Sequence, residues 1–133
     1  MEYDRLNPLA EQSAIESMSS SQFKCLRRWS TPTVPQFGIH KLYTESDQRH
    51  WYHKCPHCGY EQVLDYEKNI KLINPKGIDT FAKVVQPDTY QYVCAKCGEP
   101  LDRWYDGHWV ADKPKAGRRH GYSISQMDAV WIN

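Results

Sequence analysis

The sequence of 133 residues has no long apolar run. Hydrophobic residues make up 40% of it, its mean hydropathy is −0.78, and no stretch reaches the roughly 20 apolar residues that cross a bilayer. Residues 1–5 also lack the basic and apolar regions of a secretory signal. These features predict a cytoplasmic protein without a membrane partner. In that reducing compartment, paired cysteines bind metal more often than they form disulfides.

A strong excess of one charge is missing too. Lys and Arg total 17 and Asp and Glu total 16, so the formal net charge is +1. This balance excludes a broad polycationic coat for nucleic acid and a long acidic tail. The charge balance does not exclude a local basic patch.

Cysteine is sparse, but four of the five cysteines form two C-x-x-C pairs, each followed by glycine. Two intervening residues let both thiolates of a pair turn toward one ion, about 2.3 Å from each sulfur. The repeated unit predicts one tetrahedral zinc site, whose ligands are Cys55, Cys58, Cys94 and Cys97. Four thiolates close the coordination shell, so we expect a structural rather than a catalytic zinc.

Other interpretations of these side chains stay open at this point. The pairs can instead be redox motifs or disulfides, although a thioredoxin-type motif needs a βαβ context that the pattern lacks. His53 and His57 lie beside the first pair and can compete as ligands. Cys25 is isolated, and we expect a buried structural thiol there rather than a nucleophile.

Short strands are predicted around the two cysteine pairs. Gln62–Tyr66 and Ile70–Ile73 have strand character, and Leu101–Tyr105 and His108–Val110 flank the hairpin turn signal of residues 106–107. Two knuckles joined by short antiparallel strands predict a small four-cysteine zinc ribbon. The expected fold class is therefore α+β.

The first third of the chain has a different pattern. Asn7 and Pro8 predict the start of a helix that runs to about Met18. Phe23–Trp29 then predicts a strand, and Ile39–Ser46 a short helix. Ser30, Thr31 and Thr33 follow the predicted strand; polar residues at that end contact ligands in α/β folds, although an ordinary strand-to-loop exit has the same pattern.

Several segments, taken in order, resemble the large terminase subunit of tailed phages, of the lambda-like GpA type. The segments are Arg28–Thr33, Gly38–Tyr43, Ser46–Arg49 and Cys55–Gly59. The resemblance extends toward both ends of the chain. Glu2–Arg5 resembles the end of the Walker B segment, and Gly121–Met127 resembles the entry to the nuclease half.

The resemblance implies a role in packaging viral DNA into a procapsid, with an ATPase domain for translocation and a metal-dependent nuclease domain for cutting. Glu2 matches the Walker B glutamate that activates water. Ser30, Thr31 and Thr33 match the coupling motif, which senses nucleotide state. The implied partners are double-stranded DNA and, in the parent assembly, the small terminase subunit or the portal. ATP and Mg are implied only for an intact parent protein, encoded by a phage or prophage and acting in the host bacterial cytoplasm.

The sequence also departs from the family pattern. It contains no G-x-x-x-x-G-K-[ST] motif to cradle phosphates, and Met1 stands where the family has a magnesium-linked Asp. The nuclease carboxylates would lie beyond Asn133. By resemblance, residues 1–49 are an ATPase-domain remnant with a helix and a strand, 50–112 the zinc ribbon with its insertion, and 113–133 a basic linker with the nuclease entry. We expect such a fragment neither to hydrolyse ATP nor to cut DNA alone.

The densest basic run in the chain follows the ribbon. Lys113, Lys115, Arg118 and Arg119 are candidate DNA-binding residues, with His120 next to them. A solvated linker has the same composition. Further candidate phosphate contacts are Arg27, Arg28, Lys96 and Arg103. Four aromatic residues can stack on bases or form the ribbon's own core: Trp104, Tyr105, Trp109 and Tyr122.

Three classes of function follow from these patterns. The first is a part of a terminase without complete catalytic machinery. The second is a free-standing zinc-ribbon adaptor that binds nucleic acid or a protein partner. The third, a metalloenzyme, is disfavoured because the predicted metal shell is closed and no carboxylate–histidine group lies beside it.

Overall fold

The computed structural model describes residues 3–81 and 83–131, which divide into two compact units. The first unit contains the chain up to Gln48 together with Lys113–Gly121, and the second contains Arg49–Asp112 together with the chain from Tyr122 onward. The basic run therefore belongs to the first unit and all four paired cysteines to the second. The structure confirms the predicted fold class, with few helices, antiparallel sheets and a cysteine cluster typical of a zinc ribbon.

The first unit contains a 3₁₀ turn, Tyr3–Arg5, and two helices, α1 (Pro8–Ser17) and α2 (Gly38–Thr44). The Asn7 side chain accepts a hydrogen bond of 3.0 Å from the backbone N–H of Leu9, and Pro8 occupies the first helical turn. Both helices confirm the sequence prediction to within about two residues.

The predicted strand over Phe23–Trp29 is wrong. In the described part of the chain this segment has no strand assignment and no neighbouring strand, and its main-chain contact to the rest of the unit is the N–H of Tyr3 donating to Trp29 O at 3.1 Å. A strand needs a partner for its backbone groups, and periodicity alone cannot supply one. The expectation of a buried Cys25 is also wrong, because its side chain is exposed.

The second unit is built around strand β1 (Arg49–Lys54). On one edge β1 pairs antiparallel with β7 (Gly107–Ala111) along almost its whole length. On the other edge it pairs antiparallel with β2 (Glu61–Gln62) and parallel with β8 (Tyr122–Ser123). This central strand leads directly into the first cysteine pair.

The insertion between the cysteine pairs forms two small antiparallel sheets. Strand β3 (Ile70–Leu72) pairs with β6 (Tyr90–Tyr92), and β4 (Ile78–Asp79) pairs with β5 (Val84–Val85). A single helical turn, α3 (Tyr66–Asn69), and two 3₁₀ turns, Pro75–Gly77 and Gln126–Asp128, complete the unit. Strand β6 leads into the second cysteine pair.

The predicted strands near the ribbon are only partly right. The Gln62–Tyr66 strand is shortened to β2, because the Asp65 side chain caps α3 by accepting from the N–H groups of Glu67 and Lys68. The predicted hairpin between Leu101–Tyr105 and His108–Val110 is wrong. The second segment belongs to β7 and pairs with β1, where the rings of Trp51 and Trp109 meet edge to face at 5.3 Å.

The apolar core of the second unit is small. Among the described residues, its buried cluster contains Cys55, Leu64, Cys94 and Leu101, with Tyr92 and Met127 packed against them; Val93 and Ala129 are buried outside this cluster. Two of the four buried residues of the cluster are therefore candidate metal ligands. A core of this size gives limited hydrophobic stabilisation, so the unit needs further cross-links.

A buried hydrogen bond between a histidine and an aspartate fixes the C-terminal segment of this unit. His53 is 1% exposed, and its Nε2 lies 3.0 Å from Oδ1 of Asp128. Burial raises the pKa of Asp128, but the hydrogen bonds from His53 and Ser125 outweigh it, so the pKa is lowered overall. Arg103 holds the same segment, since its guanidinium donates to the carbonyls of Met127 and Ala129 at 2.9 and 3.0 Å.

Within the described residues, the helices are too short and too polar to serve as membrane spans.

Replacing Asp128 by Asn tests the role of this carboxylate. A carboxyl whose pKa is lowered by folding stabilises the fold above its ordinary value of 3.8, and the effect is lost as the pH falls through the lowered value. We expect Asp128→Asn to cost about 1–3 kcal/mol at pH 7 by urea unfolding, with a difference that shrinks below pH 3.8. An equal difference at acid and neutral pH would contradict the role of the charge.

Candidate metal centre and basic loop

The two cysteine pairs adopt the same backbone turn. In the first, Cys55 N–H donates to Tyr60 O and Gly59 N–H to Cys55 O, both at 2.9 Å. In the second, the corresponding bonds join residues 94 and 99 and residues 98 and 94, again at 2.9 Å. Gly59 and Gly98 have φ values of 68° and 74°, a conformation that favours glycine. The glycine after each pair is thus required by the turn.

These turns bring the four sulfur atoms together. The ligand atoms of Cys55, Cys58, Cys94 and Cys97 all lie within 4.8 Å of one another. The distance from Cys55 Sγ to Cys97 Sγ is 3.8 Å, and that from Cys58 Sγ to Cys94 Sγ is 3.7 Å. Four sulfurs at about 2.3 Å from a tetrahedral centre stand about 3.8 Å apart, so the donor set and its spacing fit a metal ion.

The electrostatics of the cluster favour a cation. Burial raises the pKa of Cys94, but the backbone N–H groups of Cys97 and Lys96, with the side chains of Gln62 and Cys58, lower it to about 6. The N–H of Glu99 lowers the pKa of Cys97, yet desolvation and the neighbouring sulfurs outweigh it and raise the pKa to about 12. The Cys94 thiol therefore ionises readily, whereas the Cys97 thiol resists ionisation. A positive ion at the centre would let all four ionise together.

The histidines beside the first knuckle are not part of the cluster. Among the described residues, the only group of metal-ligating side chains within range of one another is the four cysteines. His53 is engaged with Asp128, and His57 is exposed. The alternative that a histidine replaces a cysteine ligand is therefore not supported by this geometry.

A buried amide network supports the second knuckle. Oε1 of Gln62 accepts from Nδ2 of Asn69 at 2.9 Å and from the backbone N–H of Ala95 at 3.0 Å. Asn69 Nδ2 also donates to Val93 O at 2.9 Å, and Asn69 Oδ1 accepts from Asp65 N–H. The network ties β2 and α3 to the residues on both sides of Cys94.

The basic run is an ordered loop in the first unit. Asp47 is 4% exposed, and its carboxylate accepts from Gly121 N–H at 3.0 Å and lies 2.7 Å from His120 Nδ1. The backbone of Asp47 also bonds to both ends of the loop, since its carbonyl accepts from Lys113 N–H and its N–H donates to Arg119 O. One buried aspartate therefore holds both ends of this basic loop, residues 113–121.

The candidate DNA-binding residues of the loop are not equivalent. All four are exposed. Arg119 forms an ion pair of 3.0 Å with Glu45, whereas within the described residues Lys113, Lys115 and Arg118 form none. The positive charge that is free to meet an anion is thus concentrated on these three side chains.

The other basic and aromatic candidates have mostly structural contacts. Arg28 forms an ion pair with Glu11, and Arg103 holds backbone carbonyls while stacking on Tyr92. Lys96 lies over the ring of Tyr60. Trp109 packs between Trp51 and Tyr122, whereas the side chains of Trp104 and Tyr105 are exposed.

The residues predicted as a coupling motif lie around Asp4. The Asp4 carboxylate accepts from the N–H and hydroxyl of Thr33 at 3.2 and 3.0 Å, and from the N–H of Ile39 at 2.7 Å. The bond from Ile39, aided by those from Thr33, lowers the pKa of Asp4 against the effect of burial. Ser30 Oγ accepts from Asp4 N–H at 3.3 Å, and Thr31 is exposed. Glu2 lies outside the described residues.

Sequence reasoning missed the residues that hold these sites: Asp4, Asp47, Gln62 and Asn69. Each acts on groups far away in the chain, up to 74 positions in the bond from Gly121 to Asp47. The opposite charge of Asp47 and the basic run was a weak signal. No local pattern marks the two amides.

The geometry shows a cluster of four sulfur atoms that could hold a metal ion and a separately anchored basic loop. The model of the family described as phage terminase large subunit gpA, ATPase domain, matches residues 11–118. This match covers most of the chain, so the chain belongs to that family, which confirms the resemblance. The comparisons with curated proteins and with solved structures gave no match.

The anchoring of the basic loop can be tested with trypsin. Asp47→Ala removes the acceptor of Gly121 N–H and the partner of His120, so we expect faster cleavage after Lys115, Arg118 and Arg119 in limited digestion. Glu45→Ala removes only the exposed ion pair to Arg119 and should leave the cleavage rate nearly unchanged. Equal rates in Asp47→Ala and the parent chain would contradict the anchoring role.

Proposed function

We propose that this chain serves in the DNA-packaging motor of a tailed phage, as a zinc-stabilised part of its large terminase subunit. The observation that carries the proposal is the family match, which spans both units and includes all four clustered cysteines. Packaging requires contact with double-stranded DNA and a link between nucleotide state and the parts that hold DNA. Three features of the chain support this role.

The first feature is the metal centre. Zinc prefers four thiolates in a tetrahedron, and the cysteine sulfurs have the spacing for it. Cys55, Cys58, Cys94 and Cys97 would hold the ion. A closed sulfur shell gives zinc a structural role, in which binding contributes directly to the folding free energy. That contribution matters in a unit whose buried hydrophobic cluster contains four of the described residues.

The second feature is the basic loop. Lys113, Lys115 and Arg118 are exposed, and Asp47 fixes the ends of the segment that carries them. Phosphate contacts of this kind need no base recognition, which suits a motor that moves along any sequence. A fixed loop also loses less conformational entropy on binding than a free linker would.

The third feature is the contact between Asp4 and the Ser30–Thr33 segment. A hydrogen-bonded carboxylate can transmit a shift of the 3₁₀ turn to Thr33 and to the start of α2. Ser30, Thr31 and Thr33 would then act as the coupling motif, and Glu2 as the Walker B glutamate. ATP and Mg would act only in the intact motor, where the small terminase subunit and the portal are the expected partners.

Metal removal tests the zinc assignment. We expect one zinc ion per purified chain, and a large fall in the melting temperature on chelation that added zinc reverses, because the bound ion contributes to folding. Cys97→Ser should abolish stoichiometric binding, whereas Cys25→Ser should not, since Cys25 lies outside the cluster. A metal-free chain that melts at the same temperature as the untreated chain would contradict the assignment.

Charge removal tests the DNA contact. Lys115→Gln combined with Arg118→Gln should weaken binding to random-sequence duplex DNA and reduce the slope of log K against log salt by about two. The matched control is Lys68→Gln with Lys71→Gln, which removes the same charge from exposed positions in α3 and β3. Undetectable binding at low salt, or an equal loss in the control, would contradict a specific role for the loop.

A further inference from the structure

The Gln62 side chain has an unused donor beside the metal centre. Gln62 is 5% exposed, and its Nε2 is buried without a hydrogen-bond partner. A buried amide N–H without a partner has lost its hydrogen bond to water and gained none in return, which destabilises the fold. A group kept at such a cost calls for an explanation.

The orientation of the Gln62 amide is fixed by its neighbours. Its oxygen accepts from both Asn69 Nδ2 and Ala95 N–H, so a flipped amide would place an NH₂ group against two donors. Asn69 cannot reverse either, because its own oxygen accepts from Asp65 N–H and its nitrogen donates to Val93 O. The Gln62 amide therefore cannot flip, and its Nε2 cannot exchange positions with Oε1.

The Gln62 amide lies beside one member of the sulfur cluster. Its Oε1 accepts from the N–H of Ala95, the residue that follows Cys94, at 3.0 Å. The sulfur of Cys94 already accepts one N–H, from Lys96 at 3.4 Å. Cys94 is itself 1% exposed, so water has little access to its sulfur.

We propose that Gln62 is a positioning residue of the metal centre, whose Nε2–H donates to the metal-bound thiolate of Cys94 while its Oε1 orients the second knuckle. The proposal rests on the proposed function, since it presupposes a metal held by the four cysteines. Such a bond withdraws electron density from the sulfur. It makes the thiolate a poorer target for protons, and so slows release of the ion.

The experiment compares the parent chain with Gln62→Met, which keeps an unbranched side chain and removes the donor. The control is Asn69→Ala, which weakens the same amide network but adds no new acceptor, so that the bond from Ala95 N–H to Oε1 keeps Nε2 of Gln62 in place. The readouts are the sulfur-to-metal charge-transfer band of the cobalt-substituted chain and the rate at which the zinc form passes its ion to a chromophoric chelator. The band reports on the sulfur directly and is insensitive to a general loss of stability.

We expect Gln62→Met to shift the band to lower energy and to speed zinc transfer by about 10- to 100-fold. Asn69→Ala should lower the melting temperature and leave the band in place. An unchanged band in Gln62→Met, or the same band shift in both variants, would overturn the proposal. If Gln62→Met fails to bind metal, Gln62→Glu at alkaline pH takes its place, because the ionised carboxylate keeps the acceptor and lacks the donor.

The outcomes separate this inference from the proposed function. A parent chain that takes up neither cobalt nor zinc contradicts the structural zinc itself. A parent chain that binds both, with a Gln62→Met spectrum identical to its own, overturns only the role of Gln62.

Discussion

The meeting of two cysteine pairs from distant parts of the chain is the constraint on which the second unit depends. Cys55 and Cys94 are at once members of the small apolar core and members of the sulfur cluster. The same two residues therefore belong to the core and to the cluster that could hold a metal ion. With few other buried apolar side chains, the hydrophobic contribution alone is small, and a bound ion would add the decisive cross-link.

The surrounding elements serve to deliver and hold the two knuckles. Strand β1 runs into the first pair and β6 into the second, and the Gln62–Asn69 amides link β2 and α3 to the second knuckle. His53 and Arg103 hold the segment that follows β8. The buried polar groups thus hold together elements that a larger hydrophobic core holds together in other proteins.

How much the sequence predicts depends on the range of the interaction. The C-x-x-C-G units and the Asn7–Pro8 helix start are local signals, and the structure confirms both. The Phe23–Trp29 strand and the hairpin at residues 106–107 were wrong because strand pairing depends on which distant edge is available, as β1 is for β7. The anchors Asp4, Asp47 and Gln62 could not be predicted for the same reason.

A buried acidic residue holds the basic loop in place. The Asp47 carboxylate contacts His120 Nδ1 and accepts from the backbone N–H of Gly121, so its charge helps to fix the segment that carries Lys115 and Arg118. Composition alone predicts a solvated linker equally well. Only the backbone bonds at both ends distinguish a fixed loop from a linker.

X-ray absorption at the zinc edge of the purified chain tests the central claim most directly. We expect the zinc to have a coordination shell of four sulfur atoms at about 2.3 Å, with no nitrogen or oxygen ligand. A shell that contains nitrogen or oxygen, or a chain that purifies without zinc under reducing conditions, would contradict it.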